Sequence, residues 1–131
     1  MWLSLNDSFV SIVQAKGNAS ILWVRARNKQ HLINFLKPSF GEEMAKTLVK
    51  HTPDADYAYR TPMARISVEK LLRLHIEKLN YPNFKDSVLE PPLHSMYTKW
   101  WSDAVEYQQQ GEHEHVQNSH IRGKQKVRRR A

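Results

Sequence analysis

The chain has 131 residues, 40% hydrophobic and 25% charged, with no cysteine and a net charge of +7. That length fits one domain with one core, and the missing thiols exclude disulfides, thiolate catalysis and zinc sites built on sulfur. No segment approaches the ~20 apolar residues of a membrane helix, and Met1–Asp7 carries neither a basic leader nor an apolar run, so a cytoplasmic location without a membrane partner is expected.

Phe9–Val13 and Ile21–Val24 are β-branched and aromatic runs separated by Ala15-Lys16-Gly17-Asn18, which predicts an antiparallel hairpin. Alternation along its second strand puts Ile21, Trp23, Arg25 and Arg27 on one face and Leu22, Val24 and Ala26 on the other. Asn28 is placed to cap a helix over 29–37, whose apolar stripe of Leu32, Ile33, Phe35 and Leu36 ends at Pro38. Ser39 and Glu42 form a capping-box pattern for a second helix over 40–50, carried by Met44, Ala45, Leu48 and Val49.

Asp56–Arg60 alternates as a third strand bounded by Pro62, with Tyr57 and Tyr59 on one face. Ser67 is the expected cap of the next helix, over 67–79, with Ile66 and Leu71 as a hydrophobic staple and Glu69–Arg73 as an i, i+4 ion pair. Val68, Leu71, Leu72, His75 and Leu79 form its stripe. Residues 84–89 make one short turn that Pro91-Pro92 stops, and a last helix over 93–109 carries Leu93, Met96, Tyr97, Trp100, Ala104 and Tyr107 on one face. From Gln108 the chain turns polar and then basic, too poor in apolar residues to offset its ordering entropy.

The expected fold is therefore α+β: a small antiparallel sheet of three or more strands, covered on one face by helices, in the order β-β-α-β-α-α. A single domain over 1–107 precedes a disordered basic tail over 108–131. Residues 111–131 hold six Lys/Arg and two Glu, so more than half of the net charge sits there and the body is nearly balanced.

Tyr81-Pro82-Asn83-Phe84-Lys85-Asp86-Ser87-Val88, together with Asn6–Val13 and Val24–Arg27, resembles segments of a set of small uncharacterised bacterial proteins. The resemblance covers residues 1–107 and excludes the tail. It implies that the body is a complete module and the tail an addition, and it implies no activity.

Three features carry the functional expectation. The tail cations Lys124, Lys126, Arg128, Arg129 and Arg130 suit sequence-independent contact with phosphates. Trp23, Arg25 and Arg27, beside Tyr57 and Tyr59, would form a basic and aromatic platform for nucleic acid, although packing beneath Arg stems is the favoured role of the same rings and no ribonucleoprotein-type Gly-aromatic motif is present. Tyr81, Asn83, Lys85 and Asp86 lie in a segment anchored by Phe84 and Val88, where they either contact a protein partner or cap the local turn.

His75 and His94, with Asp54, Asp56, Asp86 and Glu90, have no diagnostic catalytic spacing, and HExxH, GxSxG and phosphate-loop motifs are absent. Glu112-His113-Glu114-His115 and His120 have metal-binding types without a rigid ligand set. No catalytic residue, metal or cofactor is expected. The leading expectation is a non-enzymatic, nucleic-acid-associated protein; the alternatives are a protein-binding accessory or inhibitor module of a bacterium or mobile element, and an unrecognised hydrolase. The oligomeric state is open.

Overall fold

A computed structural model describes the backbone of residues 1–130 and the side chains of residues 1–122 and Lys124. It is α+β, as the sequence indicates. Contacts divide the chain into one unit over 1–93 and a second that begins at His94.

The first unit is built on a five-stranded antiparallel sheet. Its strands are β1 (Trp2–Leu5), β2 (Ser8–Ala15), β3 (Asn18–Ala26), β4 (Lys50–His51) and β5 (Tyr59–Ala64), arranged β1-β2-β3-β5-β4. The hairpin between β2 and β3 closes at Lys16-Gly17, where Gly17 takes φ +73°, a left-handed conformation that a side chain would strain. Asn18 Oδ1 accepts from the Ser20 backbone N–H at 3.1 Å just beyond it.

Two strands depart from the sequence reading. β1 was not expected, because four residues followed by Asn6-Asp7 carry little local signal. It is held by its register on β2, and the Met1 ammonium donates to the Ile12 carbonyl at 2.8 Å. The third predicted strand is shifted: β5 starts at Tyr59 and runs through Pro62 instead of stopping there. A proline fits inside a paired strand only where its nitrogen faces away from the partner, and alternation then turns Thr61 and Met63 into the core. Tyr57 lies outside the strand.

The helices of this unit are α1 (Lys29–Phe40), α2 (Glu42–Leu48), α3 (Arg65–Glu77) and α4 (Phe84–Ser87). Asn28 caps α1 as expected, its Oδ1 accepting from the Gln30 and His31 backbone N–H groups at 2.8 and 3.3 Å. Pro38 sits in the final turn without ending the helix, which closes at Gly41 with φ +74°. Gly41, not Ser39, also occupies the cap position of α2, and the Ser39 hydroxyl is buried without a partner among the described residues. The capping box is therefore not formed.

Ser67 does not cap α3 either. β5 passes directly into the helix at Ala64, leaving no loop in which a cap could form, and Ile66 points outward at 70% exposure instead of stapling Leu71. Arg65 braces this junction by donating from Nε to the Ala19 carbonyl at 2.9 Å and from Nη2 to Gln14 Oε1 at 3.1 Å. The ion pair on this helix is Arg73–Glu77 at 3.0 Å, one turn beyond the expected Glu69–Arg73.

α1 and α3 cover one face of the sheet. Leu32, Ile33, Phe35 and Leu36 of α1 and Val68 and Leu71 of α3 pack with Val10, Ile12, Leu22, Val24, Ala26 and Met63 of the strands into one apolar cluster. Burial of that surface is the main stabilising term, at ~25 cal/mol per Å² of apolar area.

α5 (Pro91–Arg130) begins at the proline pair that was expected only to stop the preceding turn, since a proline suits the first helical position. Within the second unit, Tyr97 is buried, with its ring 5.4 Å from that of Trp100. Every described side chain from Trp101 onward is exposed. The helix extends across the segment expected to be a disordered tail.

Truncating Leu71, which is fully buried, to alanine is expected to lower unfolding free energy by about 2–5 kcal/mol. Asn28→Ala should lower it by about 1 kcal/mol through loss of the α1 cap. Urea unfolding followed by circular dichroism measures both.

Candidate nucleic-acid interface

The face of the sheet opposite α1 and α3 is fixed by strand register. Trp2, Ser11, Arg25, Arg60 and Lys50 lie directly opposite one another across β1, β2, β3, β5 and β4. Two residues along β3, a second row runs Val13, Trp23, Pro62. Trp23 and Arg25 thus share a face, as their spacing indicated. Trp2, Arg60 and Lys50 join them through pairings between segments far apart in sequence, which no local pattern announces.

Of these residues Ser11 is buried, Trp23, Arg25 and Arg60 are half-buried, and Trp2, Lys50 and Pro62 are exposed. Arg27 falls just beyond β3 and does not belong to either row. Nor do the two tyrosines form the expected pair. Tyr59 lies opposite Ala26 and His51, on the other face, with its ring stacked on His51 at 4.9 Å.

Tyr57 instead folds in from the loop before β5 and is 4% exposed. The guanidinium carbons of Arg25 and Arg27 lie 4.6 and 4.4 Å from its ring centroid. Its carbonyl accepts from Arg60 Nη2 at 3.4 Å and from the Thr52 hydroxyl at 3.1 Å. One buried residue therefore orients three arginines. It serves as a support for the cations, and its burial removes it as a stacking surface.

Each guanidinium has further anchors. Arg25 Nη2 donates to Ser11 Oγ at 2.9 Å, while its Nε is buried without an acceptor among the described residues. Arg27 Nη1 donates to the Asp56 carbonyl at 2.7 Å; the Asp56 carboxylate is occupied by the Tyr57 backbone N–H at 2.9 Å. Arg60 Nε donates to Thr52 Oγ1 at 3.2 Å, and its guanidinium carbon lies 5.8 Å from the Trp23 ring centroid. Among the described residues, ion pairs join His31 to Glu90, Lys46 to Glu42 and Glu43, and Arg73 to Glu77. None involves Arg25, Arg27, Arg60 or Lys50.

Like charges placed opposite one another across strands are destabilising. Here they are held by rings, hydroxyls and carbonyls, which orient a guanidinium without cancelling its charge. The row consequently keeps its positive field.

The Tyr81–Val88 segment is anchored as expected. Asn83 Oδ1 accepts from the Asp86 backbone N–H at 3.1 Å, capping α4, and the Tyr81 ring lies 6.0 Å from that of Phe84. Lys85 is half-buried, and Asp86 is exposed. Tyr81 also borders a cleft of about 270 Å³ with Asp7, His75 and Lys78.

His75 has its Nε2 committed to the Phe35 carbonyl at 2.8 Å and its ring stacked on Phe35 at 5.1 Å, which is the geometry of a core-edge histidine. His94 belongs to the second unit and is half-buried. Lys124 is exposed, whereas the side chains of Lys126, Arg128, Arg129 and Arg130 lie outside the described residues. No group of three or more residues among those described could hold a metal ion, and no helix is long and apolar enough to cross a membrane.

The histidine and acid that do meet are His31 and Glu90. His31 Nδ1 accepts from the Phe9 backbone N–H at 3.3 Å, so Nε2 carries the proton that it donates to Glu90 Oε2 at 2.7 Å. Both ring nitrogens are engaged, and the pair links β2, α1 and the chain before α5. The sequence hint was slight: His31 stands four residues before Phe35, on the apolar stripe.

Compared with known proteins, the chain matches no family model, and no curated protein or solved structure is significantly similar to it.

His31→Ala leaves the buried Phe9 N–H without its acceptor and is expected to lower unfolding free energy by about 1–3 kcal/mol. Glu90→Gln retains an amide oxygen for Nε2 and should have a smaller effect. Denaturant titrations of the two variants against the parent protein decide between a connecting role for His31 and a dispensable one.

Proposed function

We propose that this chain is a non-enzymatic, nucleic-acid-associated protein. Its sheet face contributes the organised part of the contact through Trp23, Arg25, Arg27, Arg60 and Lys50. The basic run from Lys124 to Arg130 contributes electrostatic attraction that carries no sequence information.

The observation that carries this reading is the row Arg25, Arg60, Lys50. Three cations stand in register on adjacent strands, next to an indole, with no carboxylate within ion-pair distance among the described residues. Cations and aromatic rings side by side on a strand surface are the materials of backbone contact and base stacking.

Fluorescence anisotropy with labelled DNA and RNA, from low to physiological salt, tests the proposal. The logarithm of affinity should fall linearly with the logarithm of salt concentration, with a slope of about −0.7 to −0.9 per phosphate contacted. Replacing Lys124, Lys126, Arg128, Arg129 and Arg130 by glutamine should make that slope shallower and weaken binding to all sequences alike. Undetectable or salt-insensitive binding to both polymers removes the proposal. Recovery of one stoichiometric protein partner in that case transfers the chain to the accessory-protein reading, with Tyr81, Asn83, Lys85 and Asp86 as its contact loop.

A further inference from the structure

We infer that the sheet face selects single-stranded over duplex nucleic acid, seating phosphate on the Arg25–Arg60–Lys50 row and stacking an adjacent base on Trp23. This rests on the nucleic-acid reading and narrows it to a ligand class.

The first argument is width. Arg25 and Trp23 stand on β3, the middle strand of five, with two strands on either side. At ~4.8 Å between strands the sheet is about 19 Å across at the Arg25 row, where five strands pair, and about 10 Å across at the Trp23 row, where only β2, β3 and β5 pair. A duplex major groove is ~12 Å wide and admits a helix or a two-stranded ribbon. The five-stranded Arg25 row cannot enter it, so a duplex would offer that row only its outer phosphates. A single strand can lie flat on the sheet and turn its bases toward it.

The second argument is spacing. Trp23 and Arg25 are separated by two residues along β3, about 6.8 Å, and they point to the same side. That separation is twice the ~3.4 Å rise per nucleotide of one stacked duplex strand. It suits an extended backbone whose bases have come apart and can meet a ring. Arg60, whose guanidinium lies 5.8 Å from the Trp23 ring centroid, adds a second planar surface beside the indole. Across the strands, Arg25 to Lys50 covers two spacings, about 10 Å, enough to follow the backbone past one phosphate.

The third argument concerns what the face lacks. The two rows consist of Trp2, Ser11, Arg25, Arg60 and Lys50, and of Val13, Trp23 and Pro62. Neither contains the Asn, Gln, Asp or Glu that reads adenine or cytosine edges, and three of the arginine N–H groups are held, by Ser11 Oγ, Thr52 Oγ1 and the Tyr57 carbonyl. Stacking and charge remain, and both tolerate any sequence. DNA and RNA single strands share this chemistry, so each is a separate arm of the test.

The full-length protein is titrated with labelled mixed-sequence single strands of DNA and of RNA, and with hairpin duplexes of the same sequences, at each of several matched salt concentrations. A preference of about tenfold or more for the single strand is expected. Trp23→Leu should weaken single-strand binding by about 5- to 100-fold, the range of one lost stacking contact, and duplex binding by less. Lys50→Gln, at an exposed position, should weaken both ligands and reduce the salt slope by about one. Thermal melts of both variants verify that they fold. Equal affinity for the two forms overturns the inference while leaving nucleic-acid association standing. A single-strand preference that survives Trp23→Leu, or binding indifferent to Lys50→Gln, also overturns it. No binding to any strand overturns both proposals.

Discussion

The pairing of β3 with β5 is the constraint on which the rest of the first unit depends. It joins Ile21–Ala26 to Tyr59–Ala64, so α1, α2 and β4 must all be accommodated in the connection between them. One register has two outcomes. On one face it sets Leu22 against Met63 and Val24 against Thr61, beneath α1 and α3; on the other it sets Arg25 against Arg60 and Trp23 against Pro62. Because side chains alternate, a slip of one residue would exchange the two sets and place guanidinium groups in the core. Core packing therefore enforces the alignment of the cations as well.

Tyr57 is the second determinant of the cationic face. Its ring receives Arg25 and Arg27, its carbonyl receives Arg60, and Thr52 fixes the loop by donating its backbone N–H to the Ala58 carbonyl at 2.6 Å. A carboxylate in the same place would have held the arginines more strongly and neutralised them. A ring and a carbonyl hold the groups in place and leave their charge available. The same supports limit how far the guanidinium groups can rearrange.

Local chemistry was legible in the sequence wherever a single segment decides the outcome. The hairpin with Gly17 at its turn, the Asn28 cap with its apolar stripe and the Asn83 cap all follow from residues within one turn or one strand. The features that escaped were decided at long range. β1 exists because β2 offers it an edge, and β5 passes through Pro62 because β3 dictates where it must run. Ser39 and Ser67 match cap patterns, but the chain at each point is already committed by a neighbouring element. Arg60 and Lys50 look like ordinary surface cations until the sheet aligns them with Arg25, and His31 meets Glu90 across 59 positions. In α5 the apolar stripe expected to run on to Ala104 and Tyr107 is buried no further than Trp100, and the polar composition from Gln108 did not signal that the helix would continue.

Pro62 has a further effect at the margin of the sheet. β4 spans only Lys50–His51 and pairs with Tyr59 and Arg60, so beyond it Thr61–Ala64 forms a border that another extended chain could join. Such borders are where folded proteins begin to polymerise. The proline nitrogen, turned away from β3, faces that border and has no hydrogen to offer an incoming strand, while the charge of the adjacent Lys50 and Arg60 repels a second copy of the same edge. Pro62, Lys50 and Arg60 thus discourage self-association along the rim of the sheet.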